Sequence, residues 1–355
     1  MPTASIDTFI ACSLMVLLVL TAMANTSKLL YPHVNGDDTE NIAEKYRQIS
    51  EYILLSAGEP SEWGKSALVI PENFGLAKSD SSVAFDLDVD KVSRLNSENA
   101  YALSYAQAFS ALGMPEISFK LEITPIFNTA INLTTTYSAA DETTYQFTIV
   151  TEKNGLPVGT ELNYYVIARD YLDSGFATIA NGEAQLNITI PNSVEGPAIL
   201  VVFASAISYS RIVSFKVYAF AHNSLEPHQK GTFLKLSPLN QSLYVALLNQ
   251  ETSLSEAYAL APSHYSVLTQ TSSENQFATY AIPQFVNASP IILVVLGWNA
   301  TTFFVEWTVY PQLPLQFGVN FQNPSTLSDV FAYTYIVTVN SALYECKVWL
   351  GGPRD

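Results

Sequence analysis

The stretch Ala198-Ile199-Leu200-Val201-Val202-Phe203-Ala204 decides how this chain is read. It is apolar at every position, so a strand made from it has no side that water would favour. The run predicts a central strand with packing on each face. Outward from it the pattern alternates. Candidate strands are 117–124, 130–137, 145–151, 161–168, 184–190, 198–205, 212–220, 232–236 and 242–248. Turn words such as Asn154-Gly155-Leu156-Pro157 and Pro191-Asn192-Ser193 separate many of them. A second block offers 264–268, 277–282, 291–296, 302–310, 330–339 and 343–350. This spacing predicts a mainly β chain with two β-sandwich-like domains, 116–249 and 250–355. An N-terminal hydrophobic helix (1–30) and a small helical/linker region (31–115) are expected to precede them.

Composition agrees with sheet. Of 355 residues, 48% are hydrophobic and 12% aromatic, with 20 Tyr and 19 Phe. So much apolar surface excludes disorder for most of the chain. The formal charge of −16 excludes nucleic acid as the main partner, because a phosphate backbone needs a cationic face. Residues 236–346 contain no Lys or Arg and only six acids: Glu251, Glu256, Glu274, Glu306, Asp329 and Glu345. That stretch lacks an ordinary charged surface, which points to lateral association, with covering glycans as the competing account.

Phe9 to Ala24 is an uncharged run of 16 residues; extended back to Ala4 it includes Asp7. About 20 residues are needed to span a bilayer, so the segment suits a retained anchor, a cleaved signal ending at Ala22-Met23-Ala24, or a core helix. The anchor is the favoured reading, although no Lys or Arg precedes Lys28 to set an orientation. Six Asn-x-Ser/Thr sequons, at Asn25, Asn132, Asn187, Asn240, Asn287 and Asn299, fit export and glycan attachment. Cys12 and Cys346 sit too differently in the chain to form a bridge.

Between anchor and sheets, Ile42, Tyr46, Ile49, Ile53 and Leu54 recur at helical steps over 40–57, with Gly58 and Pro60 as stop signals. Trp63 is expected to pack back on that helix end. Asp86, Asp88 and Asp90 alternate like half a calcium loop, but the glycine and closing glutamate of such a loop are missing. A solvated acidic face, or the first turn of a short helix ending near Leu95, is the alternative. Residues 101–112 predict another short helix, stopped by Gly113.

Catalytic signatures are sparse. There is no Gly-x-Ser-x-Gly elbow, Walker loop or dinucleotide turn. His222, Glu226 and His228 bracket one loop without the spacing of a zinc motif. His264 lies beside Ser263 and Tyr265 with no evident carboxylate. Glu306, if it faces inward and meets Asp329, would suit sugar chemistry; the alternative is a strand residue facing solvent. Trp298, Trp307, Tyr310 and Trp349 would suit a stacking platform or simply a sheet core. No catalytic, metal or cofactor residue is assigned, and no enzyme activity is expected.

One resemblance adds to this. The apolar start, the amphipathic helix and the words Leu54-Leu55-Ser56-Ala57-Gly58-Glu59-Pro60-Ser61-Glu62-Trp63-Gly64 resemble archaeal pilin-like, membrane-anchored surface proteins. So do Glu72-Asn73-Phe74-Gly75-Leu76-Ala77 and Leu87-Asp88-Val89-Asp90-Lys91-Val92-Ser93-Arg94-Leu95. The sequence departs from type IV pilins in lacking a basic leader, in the place of Asp7, and in the breaker at Pro32–Asp38. The resemblance implies an apolar helix making membrane or filament contacts, with β domains facing outward. The expected function is therefore that of an exported, membrane-tethered surface protein, structural or adhesive, at the cell membrane with its bulk outside. A pilin-like filament subunit and a cell-surface carbohydrate-active enzyme are the alternatives. The expected partners are membrane lipid through the helix, a lateral homo-oligomer or filament, and glycans.

Overall fold

The computed structural model describes Met15, Val16, Val19, Thr21 and residues 41–285, 289–321 and 327–353. By contacts the chain divides into two units, Met1–Glu51 and Tyr52–Asp355. Helix α1 covers residues 41–55, and its Tyr46, Ile49, Ile53 and Leu54 are buried, as their spacing requires. A 3₁₀ turn at Trp63–Lys65 precedes β1 (Asp86–Leu87), α2 (Val89–Ser93) and α3 (Tyr105–Leu112). Ser104 and Gln107 form a capping box at the start of α3, and Gly113 ends it at φ +69°.

Next come β2 (Ser118–Pro125), β3 (Asn128–Ser138), β4 (Glu142–Lys153), β5 (Leu156–Pro157) and β6 (Thr160–Ala168). They are followed by β7 (Tyr171–Ile179), β8 (Glu183–Pro191), β9 (Gly196–Ala206) and β10 (Tyr209–His222). The middle of the chain continues with β11 (Leu234–Leu239), β12 (Ser242–Leu247), β13 (Thr252–Ala261), β14 (His264–Val267) and β15 (Thr269–Glu274). Then follow β16 (Phe277–Ala281), β17 (Ile291–Asn299) and β18 (Thr302–Tyr310). The last three are β19 (Leu315–Gly318), β20 (Leu327–Val339) and β21 (Ala342–Pro353).

Four of the sheets stack. The sheet of β3, β4, β5 and β8 packs on β10-β9-β6-β7; that sheet packs on β14-β13-β17-β18, which packs in turn on β11-β12-β16-β15. Strand β9 supplies two of the three intervening cores. Ala198, Leu200, Val202 and Ala204 meet Phe147, Ile149 and Ile188 on one side. Ile199, Val201 and Phe203 meet Ile292, Val294 and Leu296 on the other. Strand β17 does the same one layer on, with Ile291, Leu293 and Val295 facing Leu236, Val245 and Tyr280. The two-sided apolar runs of these strands have a common cause: each lies in a sheet with sheets on both faces.

The fifth sheet, β1-β20-β21-β2-β19, joins distant parts of the chain. Phe119 and Leu121 of β2 pair with Leu350 and Val348 of β21, and Asp86 of β1 runs parallel to Thr338 of β20. Strands β7, β13 and β15 escape a reading by alternation. Strand β7 is a mostly exposed edge, β13 carries an irregularity between Leu254 and Glu256, and β15 is exposed throughout.

Two expectations need correction here. Among the described residues no helix is long and apolar enough to cross a membrane. Of the expected anchor only Met15, Val16, Val19 and Thr21 are described, as exposed helical residues; the rest lies outside the described residues. Physically, 16 uncharged residues at 1.5 Å each reach about 24 Å, and a hydrocarbon core of about 30 Å is matched only by running back to Ala4 through the Asp7 carboxylate. Among the described residues the fold is mostly β with several sheets and holds no N-terminal hydrophobic helix able to cross a membrane, so the expected lipid partner and membrane location have no support in it. The charge-poor stretch is corrected too: residues 236–346 supply β13, β17 and β18, whose sheet is covered on both faces within this chain. Internal burial accounts for the missing lysines and arginines in those strands, while the largely exposed β14 and β15 carry Ser, Thr and Gln in place of Lys and Arg.

Candidate functional site

The polar heart of the second unit is α2. Asp88 caps it, its Oδ1 accepting from the Asp90 and Lys91 amides at 3.0 Å. Asp90 reaches away and accepts from the Asn240 amide and the Tyr310 hydroxyl, both at 2.8 Å. Burial pushes its carboxyl up to about 6; the Asn240 and Tyr310 bonds pull it down and the Asp88 charge pushes it further up. Lys91 is fully buried and donates to the carbonyls of Ala57 and Ala77 at 2.7 Å. Burial lowers its ammonium to about 8, against the pull of Asp88. Arg94 donates through Nη1 to Trp63, Ser66 and Val69 carbonyls and through Nε to Tyr101. The three acids read from sequence thus separate into a strand residue, a helix cap and a buried tie, and among the described residues no group of side chains suits a metal ion.

Beside this hub lies a cleft of about 730 Å³. Its walls are the segment from Lys78 to Val89, the ends of β6, β9 and β10, the Pro262-Ser263 turn, and the Asn340-Ser341 turn joining β20 to β21. The register explains why a cleft forms there. Glu161 pairs with Ser205 and Ser205 with Val213, while Asn163 pairs with Phe203. Along this face of the sheet the apolar core therefore gives way to Glu161, Asn163 and Ser205. Polar side chains at the end of a sheet face cannot close dry against a neighbour, and the space stays open.

Arg211 stands in the irregularity of β10 between Tyr209 and Val213. Its Nε donates to the Ser341 carbonyl at 2.8 Å and its Nη2 to Thr338 Oγ1 at 3.3 Å. The guanidinium is thus held in place by two of its five N–H groups. Lys78, Asp86 and Glu161 also line the cleft. Among the described residues none of these four side chains is in an ion pair. None of the four is distinguished in sequence: a single charge at a strand end reads as ordinary surface, and only the register and the Arg211 contacts single it out.

The candidates read from sequence disperse. Glu306 does face inward, but its Oε1 accepts from the Phe233 and Leu234 amides at 2.6 and 3.2 Å, and its Oε2 from Gly231 at 3.0 Å. Burial raises its pKa against those three bonds. Asp329 belongs to β20, in a different sheet from β18. Glu306 therefore clamps the 231–234 segment, its two oxygens engaged by three backbone amides; the Asp329 side chain lies outside the described residues. Lys230 covers the Trp307 ring at 4.7 Å, Arg169 covers Trp298 at 5.0 Å, and Tyr310 is spent on Asp90. Among the described residues these rings form no shared platform with Trp349, and the carbohydrate-active reading loses its footing with it.

His222 is buried between Tyr145 Oη (2.9 Å) and the Pro191 carbonyl (3.0 Å), whereas His228 is exposed against Phe233. Ser263 and His264 are hydrogen-bonded at 2.9 Å, with His264 edge-on to Phe285. Cys346 is buried, its thiol pushed up to about 12 by burial; Cys12 lies outside the described residues. Of the sequon residues, Asn132, Asn187 and Asn240 are exposed and Asn299 is half-buried, its Oδ1 accepting from Thr252. Asn25 and Asn287 lie outside the described residues.

Compared with known proteins, the chain matches no family model and no curated protein. The resemblance to archaeal pilin-like surface proteins is accordingly withdrawn, and with it the surface-structural, adhesive and filament readings and their filament and glycan partners. The words that carried it have a local explanation. Trp63, Phe74, Leu76, Lys91 and Arg94 are all buried, and they pack and bond to one another's segments around α2.

Proposed function

We propose that this chain is a non-catalytic binding protein whose ligand site is the cleft bounded by Lys78, Asp86, Glu161 and Arg211. The observation that carries this reading is a contrast in how charges are used. The buried ionic groups, Asp90, Lys91, Arg94 and Glu306, spend their hydrogen bonds on backbone and on Tyr310, holding the sheets in place. Among the described residues the cleft charges are instead in no ion pair, and Arg211 keeps N–H groups beyond those on Ser341 and Thr338. They stand at the edge of a cavity of about 730 Å³, a size common for small-molecule sites. A rigid frame with an open polar cavity favours recognition. The Ser263–His264 pair on its rim has no third group to orient the imidazole among the described contacts.

The test is a thermal-shift screen of polar small molecules against the full chain, repeated on Glu161→Gln and Arg211→Gln. Hits are expected to raise Tm, to lose that effect in both variants, and to be recovered chemically unchanged. Hits that ignore both substitutions, or that are turned over, would overturn the reading.

A further inference from the structure

We infer that the cleft takes a short peptide with free ends, its ammonium group at Glu161 and its carboxylate at Arg211; this rests on the binding reading above. The lining carries both signs of charge and a surround of hydroxyl and amide groups, including Asn163, Ser205 and Thr338. A ligand of one sign would leave the opposite charges unmatched, while a zwitterion matches both. No aromatic side chain is among the described lining residues, so the stacking face that a sugar ring or a nucleobase uses is missing.

Spacing sets the length. Glu161 is in register with Ser205, and Ser205 with Val213, the residue at which β10 regains its register after the irregularity holding Arg211. Two strand-to-strand steps of about 4.8 Å separate the Glu161 and Val213 backbones, so the strands that carry Glu161 and Arg211 lie about 10 Å apart at the backbone. At about 3.3–3.6 Å per extended residue, three residues cover that span. Arg211 is already held by Ser341 and Thr338 with N–H groups to spare, so a carboxylate meets an oriented donor.

The experiment is calorimetric titration of the full chain with tri-alanine, N-acetyl-tri-alanine, tri-alanine amide and the doubly blocked peptide. Free tri-alanine is expected to bind best, with each blocked end weakening binding about tenfold, the loss of one charge-assisted contact. Glu161→Gln should weaken free tri-alanine by a similar factor yet leave the N-acetyl form unchanged, and Arg211→Gln should do the same for the amide. If Arg211→Gln unfolds the chain, Glu161→Gln alone decides. Equal binding of all four peptides overturns the assignment of the ends while leaving the cleft as a site. Failure of every peptide, with cleft-dependent hits in the small-molecule screen, overturns the peptide alone. Failure of both experiments overturns the binding reading as well.

Discussion

The Tyr310 hydroxyl donates to the Asp90 carboxylate at 2.8 Å, joining residues 220 positions apart. With the Asn240 amide on the same oxygen, this bond fastens α2 to β18 and to the turn between β11 and β12. It places an ionisable group where burial favours its neutral form.

Asp90 consequently makes stability depend on pH. Its folded pKa of about 6 lies above the ordinary aspartate value of 3.8, so the folded state holds the proton more tightly. The stabilisation this provides is fully present below about pH 3.8 and is lost as pH rises through about 6, amounting to at most about 3 kcal/mol. Asp90→Asn keeps the accepting oxygen and removes the titration. Its stability relative to wild type should therefore increase from pH 4 to pH 7.5 in urea melts. A difference that stays flat across that range would refute the assignment.

Arg94 is the largest single commitment of the hub, with four carbonyls accepting from it. Arg94→Ala leaves those acceptors buried and opens a void beneath Trp63, a loss of about 3–5 kcal/mol. Equilibrium denaturation checks it, and a cost under about 1 kcal/mol, the range of an ordinary surface pair, would contradict the structure.

Two glycines separate close approach from backbone conformation. A Cβ on Gly64 would lie 2.6 Å from the Lys91 backbone nitrogen, whereas one on Gly113 meets nothing within 4 Å but sits at φ +69°. Gly64→Ala should cost about 1–3 kcal/mol through overpacking, and Gly113→Ala about 1 kcal/mol through its left-handed conformation. Reversal of that order in thermal melts would show that α2 does not pack as described.

Glu306→Gln tests the clamp. One end of the amide can still accept from Phe233 and Leu234, but its NH₂ then faces the Gly231 N–H, donor against donor. Hydrogen exchange at Gly231 should accelerate while Phe233 and Leu234 stay protected, with a stability loss of about 1–3 kcal/mol. Unchanged exchange at Gly231 would remove the clamp from the account.

Both faces of β9 should be sensitive. Leu200→Ala is expected to cost about 2–5 kcal/mol and Phe203→Ala about 3–5 kcal/mol, because the two side chains enter different cores. If either substitution were nearly neutral in denaturant melts, one neighbouring sheet would be misplaced.

Local sequence determined the strands and their inward faces wherever burial follows a simple period. The 198–204 run announced a strand covered on both sides, and helix α1 was legible in the steps from Tyr46 to Leu54. Which sheets cover which, the pairing of β2 with β21, and the fate of each buried charge were decided only by the tertiary structure. Hydropathy records that a side chain leaves water but not what it meets. Glu306 among aromatics therefore read as a catalytic candidate or a surface residue, and three backbone amides brought by a loop more than seventy residues away made it a clamp. The cleft was invisible for the same reason: Glu161 and Arg211 are unremarkable alone, and only strand register and the Ser341 contact turn them toward one space.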